Sequence, residues 1–311
     1  MQKILFSVSE SEFRAFAGPI ETACRAAGLD PTISKQPQDP TSIDYIVFSP
    51  DGPIADFSPF TGLKAALSLW AGVERIVGNE TLKAPLARMV DPGLTEGMVE
   101  YVTGHVLRYH LGLDAILATQ RGRWAPELAP PLARNRTVGI LGLGALGAAC
   151  GLALASLGFS VAGWSRRPKE IDGIECFSGD AGLNEILRRS DILVSLLPAT
   201  PQTESILGAE EFALLPEGAC LINPGRGTLI DDDALLAALD GGPLAHATLD
   251  VFRTEPLPAD HPFWEHPKVT VTPHIAAATR PETAGEVIAE NIRRSEAGLS
   301  LLHLVDRLAG Y

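Results

Sequence analysis

Thr137-Val138-Gly139-Ile140-Leu141-Gly142-Leu143-Gly144-Ala145-Leu146-Gly147 is the stretch on which the reading of this chain turns. Thr137 to Leu141 is a short apolar run of the kind that a buried parallel strand shows. A Gly-x-Gly-x-x-Gly turn follows, and an Ala- and Gly-rich segment with helical character runs from Leu146 to Leu157. The glycine spacing alone is a weak signal. A strand before it and a helix after it supply the setting that a dinucleotide pyrophosphate requires. Gly142 permits the tight turn, Gly144 lets the backbone approach the phosphates, and Gly147 lets the helix lie close to the strand. Ala145 and Leu146 stand in the first helical turn, where unpaired N–H groups and the helix dipole favour an anion.

Beyond this unit the βα pattern repeats. Strands are predicted at Ser160–Trp164, Ile192–Leu197, Ala219–Asn223, Ala247–Val251 and Val269–Thr272. Helices fall between most of them, including Asp232–Leu239, whose acidic first turn suits the positive end of its dipole. Before the glycine turn, Leu94–Thr119 reads as one long helix, apolar over much of its girth, which suits a linker between domains and a dimer interface. The first segment also alternates. Strands are expected at Lys3–Val8, Ile43–Phe48 and Leu63–Leu69, with a helix at Ser11–Ala27 that Pro19 should bend or split. Asp91-Pro92-Gly93 is a breaker triplet that closes this part, and Pro281–Ala297 is an amphipathic helix that could cross back to complete it. The expectation is an α/β chain of two domains with parallel sheets: residues 1–93 with 277–311, and 94–276.

Bulk properties agree with such a chain. Its 311 residues suit two cores, and 46% apolar with 20% charged residues is an ordinary globular balance. A net charge of -13 argues against nucleic acid and anionic membrane as partners, although a local arginine cluster can still take a small anion. Cys24, Cys150, Cys176 and Cys220 are scattered, so neither a zinc site nor a disulfide framework is predicted, and no metal is expected. No apolar run reaches spanning length, and the run at Met1–Phe6 is too short for a signal peptide. A cytoplasmic protein is the expectation.

The end of the second strand of the glycine-turn domain bears on the cofactor. An NAD site places an acidic residue there for the ribose hydroxyls. This chain has Trp164-Ser165-Arg166-Arg167-Pro168-Lys169, a hydroxyl and three cations suited to a 2′-phosphate. NADP(H) is therefore favoured, with NAD(H) possible.

Three later residues carry the chemistry of a 2-oxo acid reduction. Arg226 in Asn223-Pro224-Gly225-Arg226-Gly227 can clamp a carboxylate with its planar fork and polarise the neighbouring carbonyl. His274 in Thr272-Pro273-His274 can supply the proton, and Glu255 of Asp250-Val251-Phe252-Arg253-Thr254-Glu255-Pro256 can orient the ring and favour its imidazolium form. Each residue alone is a common turn or surface residue. Their joint appearance at or just past successive strands is what points to a site. The remaining histidines, His105, His110, His246, His261, His266 and His303, are expected to serve packing or solvent.

These motifs resemble the D-2-hydroxyacid dehydrogenases, in the glyoxylate/hydroxypyruvate reductase A-type branch. Further stretches carry the likeness: Leu196-Leu197-Pro198-Ala199-Thr200-Pro201-Gln202-Thr203, Trp70-Ala71-Gly72-Val73-Glu74, and the closing Val305-Asp306-Arg307 with Gly310-Tyr311. The resemblance implies two Rossmann-like or flavodoxin-like domains, a site in the cleft between them, and a homodimer with the long helix at its interface. It implies catalysis by Arg226, Glu255 and His274. It implies cofactor contacts from Leu197, Pro198 and Thr203, a selective role for Ser165 and Arg166 beside Arg167, and an Asp250 that faces the nicotinamide carboxamide. The substrate carboxylate would meet backbone N–H groups near Gly72 and Val73, with Phe48, Trp70 and Ala71 nearby. Where the family often has Gly-Ala-Gly-Val-Asp, this chain has Trp70 and Glu74, so Trp70 either narrows the substrate pocket or packs in the core. Trp124, after Gln120-Arg121-Gly122-Arg123, would reach a neighbouring subunit.

The activity this implies is NADPH-dependent reduction of small 2-oxo acids, glyoxylate to glycolate and hydroxypyruvate to D-glycerate. The alternatives are a reductase of bulkier substrates such as phenylpyruvate or keto-sugar acids, and a non-catalytic nucleotide-sensing scaffold.

Overall fold

The computed structural model describes every residue except Gln38, Gln120, Arg121, Arg123 and Tyr311. Most of the stretch before Trp124 and the closing tyrosine therefore lie outside the described residues. The chain divides into two compact units, Met1–Leu94 with Ala278–Tyr311, and Thr95–Ala277.

In the first unit, β1 (Gln2–Ser7), α1 (Glu10–Ala26), β2 (Pro31–Ser34), β3 (Tyr45–Phe48), β4 (Ala65–Ser68) and β5 (Leu86–Ala87) precede α2 (Pro92–His110). The strands form a parallel sheet in the order β2-β1-β3-β4-β5, a flavodoxin-like arrangement. Ser9 caps α1 through the Glu12 N–H, and Glu12 returns the bond to the Ser9 N–H at 2.9 Å, a full capping box. Pro19 does not split α1, which runs unbroken for 17 residues. Its missing N–H costs one bond, and packing of Phe16, Ile20 and Cys24 on the sheet carries the helix through. The late helix α8 (Pro281–Glu296) returns to this unit and packs on α1. A side chain at Gly285 would meet the Pro19 carbonyl at 3.1 Å, so the two helices approach closely there. The second face of the sheet is covered by irregular chain rather than helices: Phe57, Val73, Ile76, Leu82 and Val305 pack on Leu5, Ile46 and Phe48.

The second unit holds the rest of α2, α3 (Leu113–Ala118), β6 (Thr137–Leu141), α4 (Ala145–Ser156), β7 (Ser160–Trp164), β8 (Glu175–Phe177), α5 (Gly179–Arg189), β9 (Ile192–Ser195), α6 (Ala209–Ala213), β10 (Ala219–Asn223), α7 (Asp232–Asp240), β11 (Leu244–Leu249) and β12 (Val269–Val271). The long helix expected over 94–119 is broken between α2 and α3, because Gly112 takes the left-handed conformation at φ 64°. Its seven parallel strands run β12-β11-β10-β9-β6-β7-β8. Period-2 alternation sends Ile140, Val194 and Ile222 to one face, with Met98, Val102 and Val106 of α2 and Leu154 of α4. It sends Leu141, Leu193 and Leu221 to the other, with Ile186 of α5, Phe212 of α6 and Leu235 of α7. Each such large aliphatic side chain contributes about 1.5–3 kcal/mol on full burial, so the strands in the middle of this sheet are the rigid part of the unit. No helix among the described residues is long and apolar enough to cross a membrane.

Candidate active site

The candidate residues of the second unit all stand beyond the carboxyl ends of strands that lie side by side. After β6 comes the glycine turn. Gly142 sits at φ 104°, and a side chain there would strike the Leu196 carbonyl at 2.6 Å. A side chain at Gly147 would strike the Gly142 carbonyl at 1.8 Å, which is why α4 can lie tightly against the turn. Gly144, the N-cap of α4, has nothing within 4 Å of the position a side chain would take, and no side chain caps the helix. Open space before the first-turn N–H groups of Ala145 and Leu146 fits a phosphate group.

Beside it, Leu197 is buried and Thr203 closes the following turn. The Thr203 hydroxyl donates to the Pro198 carbonyl at 2.7 Å, and accepts from the Thr200 N–H at 2.9 Å. At the end of β7, Ser165 is buried and donates to the Arg167 carbonyl at 2.7 Å, while Arg166 and Arg167 are exposed. Lys169, read as a third cation for a phosphate, instead donates from Nζ to the Leu143 carbonyl and ties the basic turn to the glycine turn.

After β10, Asn223 holds the next loop closed. Its Nδ2 donates to the Arg226 carbonyl at 3.0 Å, and its Oδ1 accepts from the Gly225 N–H at 3.2 Å. Arg226 is half-buried, and its Nη1 donates to the Gly225 carbonyl at 2.7 Å. Gly227 brings this loop onto the next one: a side chain there would lie 1.9 Å from the Phe252 carbonyl carbon.

After β11, Glu255 accepts at Oε1 from the Phe252 N–H at 2.9 Å, and its Oε2 lies 2.7 Å from His274 Nδ1. The two side chains are 35% and 40% exposed. Arg253, which sequence reading did not single out, pins this loop. Its guanidinium donates to the Ile230 carbonyl, to Ser205 Oγ at 2.6 Å and to Glu204 at 2.7 Å. Nothing in the sequence separates Arg253 from other loop cations, since its partners come from distant loops.

After β12, His274 has a left-handed backbone at φ 54°, an uncommon state for a residue other than glycine. Asp250 sustains it. Asp250 is 0% exposed; its carbonyl accepts the His274 N–H at 2.9 Å, and its carboxylate accepts the Ile275 and Ala276 N–H groups at 2.9 Å each. The Thr272 hydroxyl adds a third bond at 2.6 Å. Asp250, expected to face the nicotinamide, is thus the buried anchor of the His274 loop.

The structure brings the His274–Glu255 pair together and sets the Arg226 loop against the Glu255 loop. Phe48, Trp70, Ala71, Gly72 and Val73 belong to the first unit. Phe48, expected beside a substrate, is a core residue at 4% exposure, because the strand alternation turns its ring into the cluster with Val73 and Phe57. Trp70 is 39% exposed, with Nε1 donating to Glu12 at 3.3 Å, so it is no core residue. The Val73 carbonyl accepts the Ile76 and Val77 N–H groups, so the chain turns helically just after Gly72.

A model of the NAD-binding domain of the D-isomer specific 2-hydroxyacid dehydrogenases matches residues 106–276. The chain belongs to this family. It is 45% identical, over 285 residues, to a glyoxylate/hydroxypyruvate reductase A of Serratia proteamaculans, covering 89% of this chain and 90% of that one. Its fold matches a D-isomer specific 2-hydroxyacid dehydrogenase of Xanthobacter autotrophicus, solved with NADPH and MES, at a TM-score of 0.93 and 39% identity over 100% of this chain and 99% of the other. It also matches an NADPH-dependent glyoxylate/hydroxypyruvate reductase of Sinorhizobium meliloti, solved with NADP and sulfate, at a TM-score of 0.86 and 35% identity over the full length of both.

The close approach at Gly227 has a measurable consequence. Gly227→Ala must push the Arg226 and Glu255 loops apart, and is expected to cost about 1–3 kcal/mol of unfolding free energy in a urea titration. Gly144→Ala, which meets open space, should cost less than about 1 kcal/mol. Equal stability of the Gly227 variant and the parent would mean that the two loops do not touch.

Proposed function

We propose that this dehydrogenase reduces small 2-oxo acids, glyoxylate and hydroxypyruvate, with NADPH. The observation that carries the reading is the 2.7 Å pair of His274 Nδ1 and Glu255 Oε2, which joins the loops after β12 and β11 beside the Arg226 loop after β10. NADPH supplies a hydride to the carbonyl carbon when it is bound. Arg226 clamps the substrate carboxylate through its planar fork and polarises the carbonyl. Glu255 engages Nδ1, so Nε2 is the nitrogen that hands a proton to the developing alkoxide. In the reverse direction the neutral ring takes that proton back. The turn at Trp70–Val73 is a second candidate for the carboxylate, through backbone N–H groups. Gly142, Gly144, Ala145, Leu146 and Gly147 would hold the pyrophosphate. Leu197, Pro198 and Thr203 would border the cofactor, and Arg166 with Arg167 would meet the 2′-phosphate. The names and bound cofactors of the relatives support this assignment.

NADPH oxidation measured with glyoxylate, hydroxypyruvate and phenylpyruvate tests the reading. Glyoxylate and hydroxypyruvate should give the higher kcat/KM values, and a phenylpyruvate preference would refute the small-substrate assignment. Arg226→Ala should lower kcat/KM for glyoxylate by at least about 100-fold, the scale of losing a charged electrostatic partner of the transition state; unchanged kinetics in a folded variant would exclude Arg226 as the clamp.

Arg166→Ala should raise KM for NADPH about tenfold while leaving NADH within about twofold, since a charge-assisted bond to the phosphate is lost with one cofactor only. Equal losses with both would show that the basic turn does not read the phosphate.

The protein is read as a cytoplasmic homodimer. Leu111, Leu113, Leu117 and Trp124 are exposed, with Leu117 at 63% and Trp124 at 93%, apolar side chains that a second copy would cover. Sedimentation equilibrium should give twice the chain mass, and a monomer at micromolar concentration would exclude this arrangement.

A further inference from the structure

Three side chains connect α2 to the His274 loop inside the second unit. Tyr101 Oη lies 2.7 Å from Thr272 Oγ1, and Thr272 Oγ1 lies 2.6 Å from Asp250 Oδ1. The chemistry of the groups fixes the direction of the chain. A carboxylate only accepts, so the single Thr272 proton goes to Asp250. Tyr101 must then donate to Thr272. The same Asp250 oxygen also accepts the Ile275 N–H, and the second oxygen accepts the Ala276 N–H. Asp250 is fully buried, so its carboxylate is shielded from water. Its main-chain carbonyl takes the His274 N–H. Every link thus ends on the peptide turn that holds His274 in the left-handed conformation.

Tyr101 is itself held. Its ring packs on His105, with centroids 4.5 Å apart, and burial followed by the nearby Arg108 disfavours a proton on that imidazole. A second chain of the same type runs to β11: Tyr109 Oη lies 2.5 Å from Thr248 Oγ1, which lies 3.3 Å from His105 Nδ1. That chain reaches β11 but has no bond to the Asp250 carboxylate. The two tyrosines stand on the same helix, both largely buried, and only one leads to the His274 turn.

We propose that Tyr101 is a positioning residue for His274, acting through the Thr272 hydroxyl and the Asp250 carboxylate. This rests on the reading of His274 as the proton donor. Tyr101 touches neither substrate nor cofactor in this role; it orients the Thr272 proton onto Asp250 Oδ1 and so fixes the carboxylate that holds the Ile275 and Ala276 N–H groups.

Tyr101→Phe keeps the ring and removes the donor. In amide hydrogen exchange, the N–H groups of His274, Ile275 and Ala276 should exchange about tenfold faster, the scale of one lost buried hydrogen bond. With glyoxylate and NADPH, kcat should fall about five- to tenfold while KM and NADPH binding stay within about twofold. Thr272→Val should reproduce both effects, and Thr272→Ser, which keeps the hydroxyl, should restore near-parental values. Tyr109→Phe is the comparison, because it removes an equally buried bond from the same helix and should leave residues 274–276 and kcat unchanged. Unaltered exchange at 274–276 in Tyr101→Phe, or equal effects of the two tyrosine variants, would overturn the proposal. A parent protein that fails to oxidise NADPH with any 2-oxo acid would defeat the proposed reaction, and the exchange measurement would still decide the part played by Tyr101.

Discussion

The buried carboxylate of Asp250 is the interaction from which the arrangement around His274 follows. The ion pair between His274 and Glu255 is the more conspicuous contact, but both side chains are more than a third exposed. A pair of that kind contributes about 0–1 kcal/mol after solvent screening. A left-handed backbone at a residue with a bulky side chain costs about 1–3 kcal/mol. Glu255 alone therefore cannot hold His274 where it is. Asp250 accepts three hydrogen bonds at full burial, each to a charged group and worth about 1.5–3 kcal/mol. That sum exceeds the backbone strain, and the ion pair is left to select the orientation of a ring whose position is already set.

Asp250 can do this because β10, β11 and β12 lie in sequence order in the sheet. Parallel strands in register deliver their carboxyl ends to one edge, so the loops carrying Arg226, Glu255 and His274 emerge side by side. On the other flank β9 joins β6 and the order reverses, since β7 and β8 lie beyond β6. The glycine turn stands at that switch point, where doubly wound sheets bind nucleotides. Close approaches then lock neighbouring loops. Gly142 abuts Leu196, Gly225 abuts the Ser195 carbonyl, and Gly227 abuts Phe252. Glycine at these positions is a packing requirement of the loops as much as a feature of any ligand site.

What the sequence revealed follows the range of the forces involved. The strands β6, β7 and β10 are legible to the residue, because a fully buried parallel strand is a continuous apolar run with clear ends. The His274–Glu255 pair is legible because each residue sits just past such a run. The break of the long helix at Gly112 is not, since glycine inside a helical pattern is often tolerated. Pro19 misleads in the opposite direction: its local penalty is real, but the packing of α1 against the sheet and α8 exceeds it. β5, with two residues, is too short to carry any periodicity. Phe48 looks like a ligand contact by its place at a strand end, yet the face of the sheet it occupies is set by register with β1 and β4. The roles of Arg253, Tyr101 and Asp250 are tertiary, and no spacing encodes them.

Charge supplies the last constraint. The chain carries a net charge of -13, and both the proposed cofactor and substrate are anions. Screening confines the global field to about 8 Å at physiological ionic strength, so local groups decide. On the proposed reading, Arg166, Arg167 and the α4 N-terminus would favour the anion at one end of the edge, and Arg226 at the other. Arg253 adds little, because Glu204 already neutralises it. Glu255 opposes an anionic substrate unless its charge is balanced. In the proposed site, a proton on the imidazole would balance the Glu255 carboxylate beside an oxo acid. There, Arg226 on the neighbouring loop would then supply the positive charge that holds the substrate carboxylate.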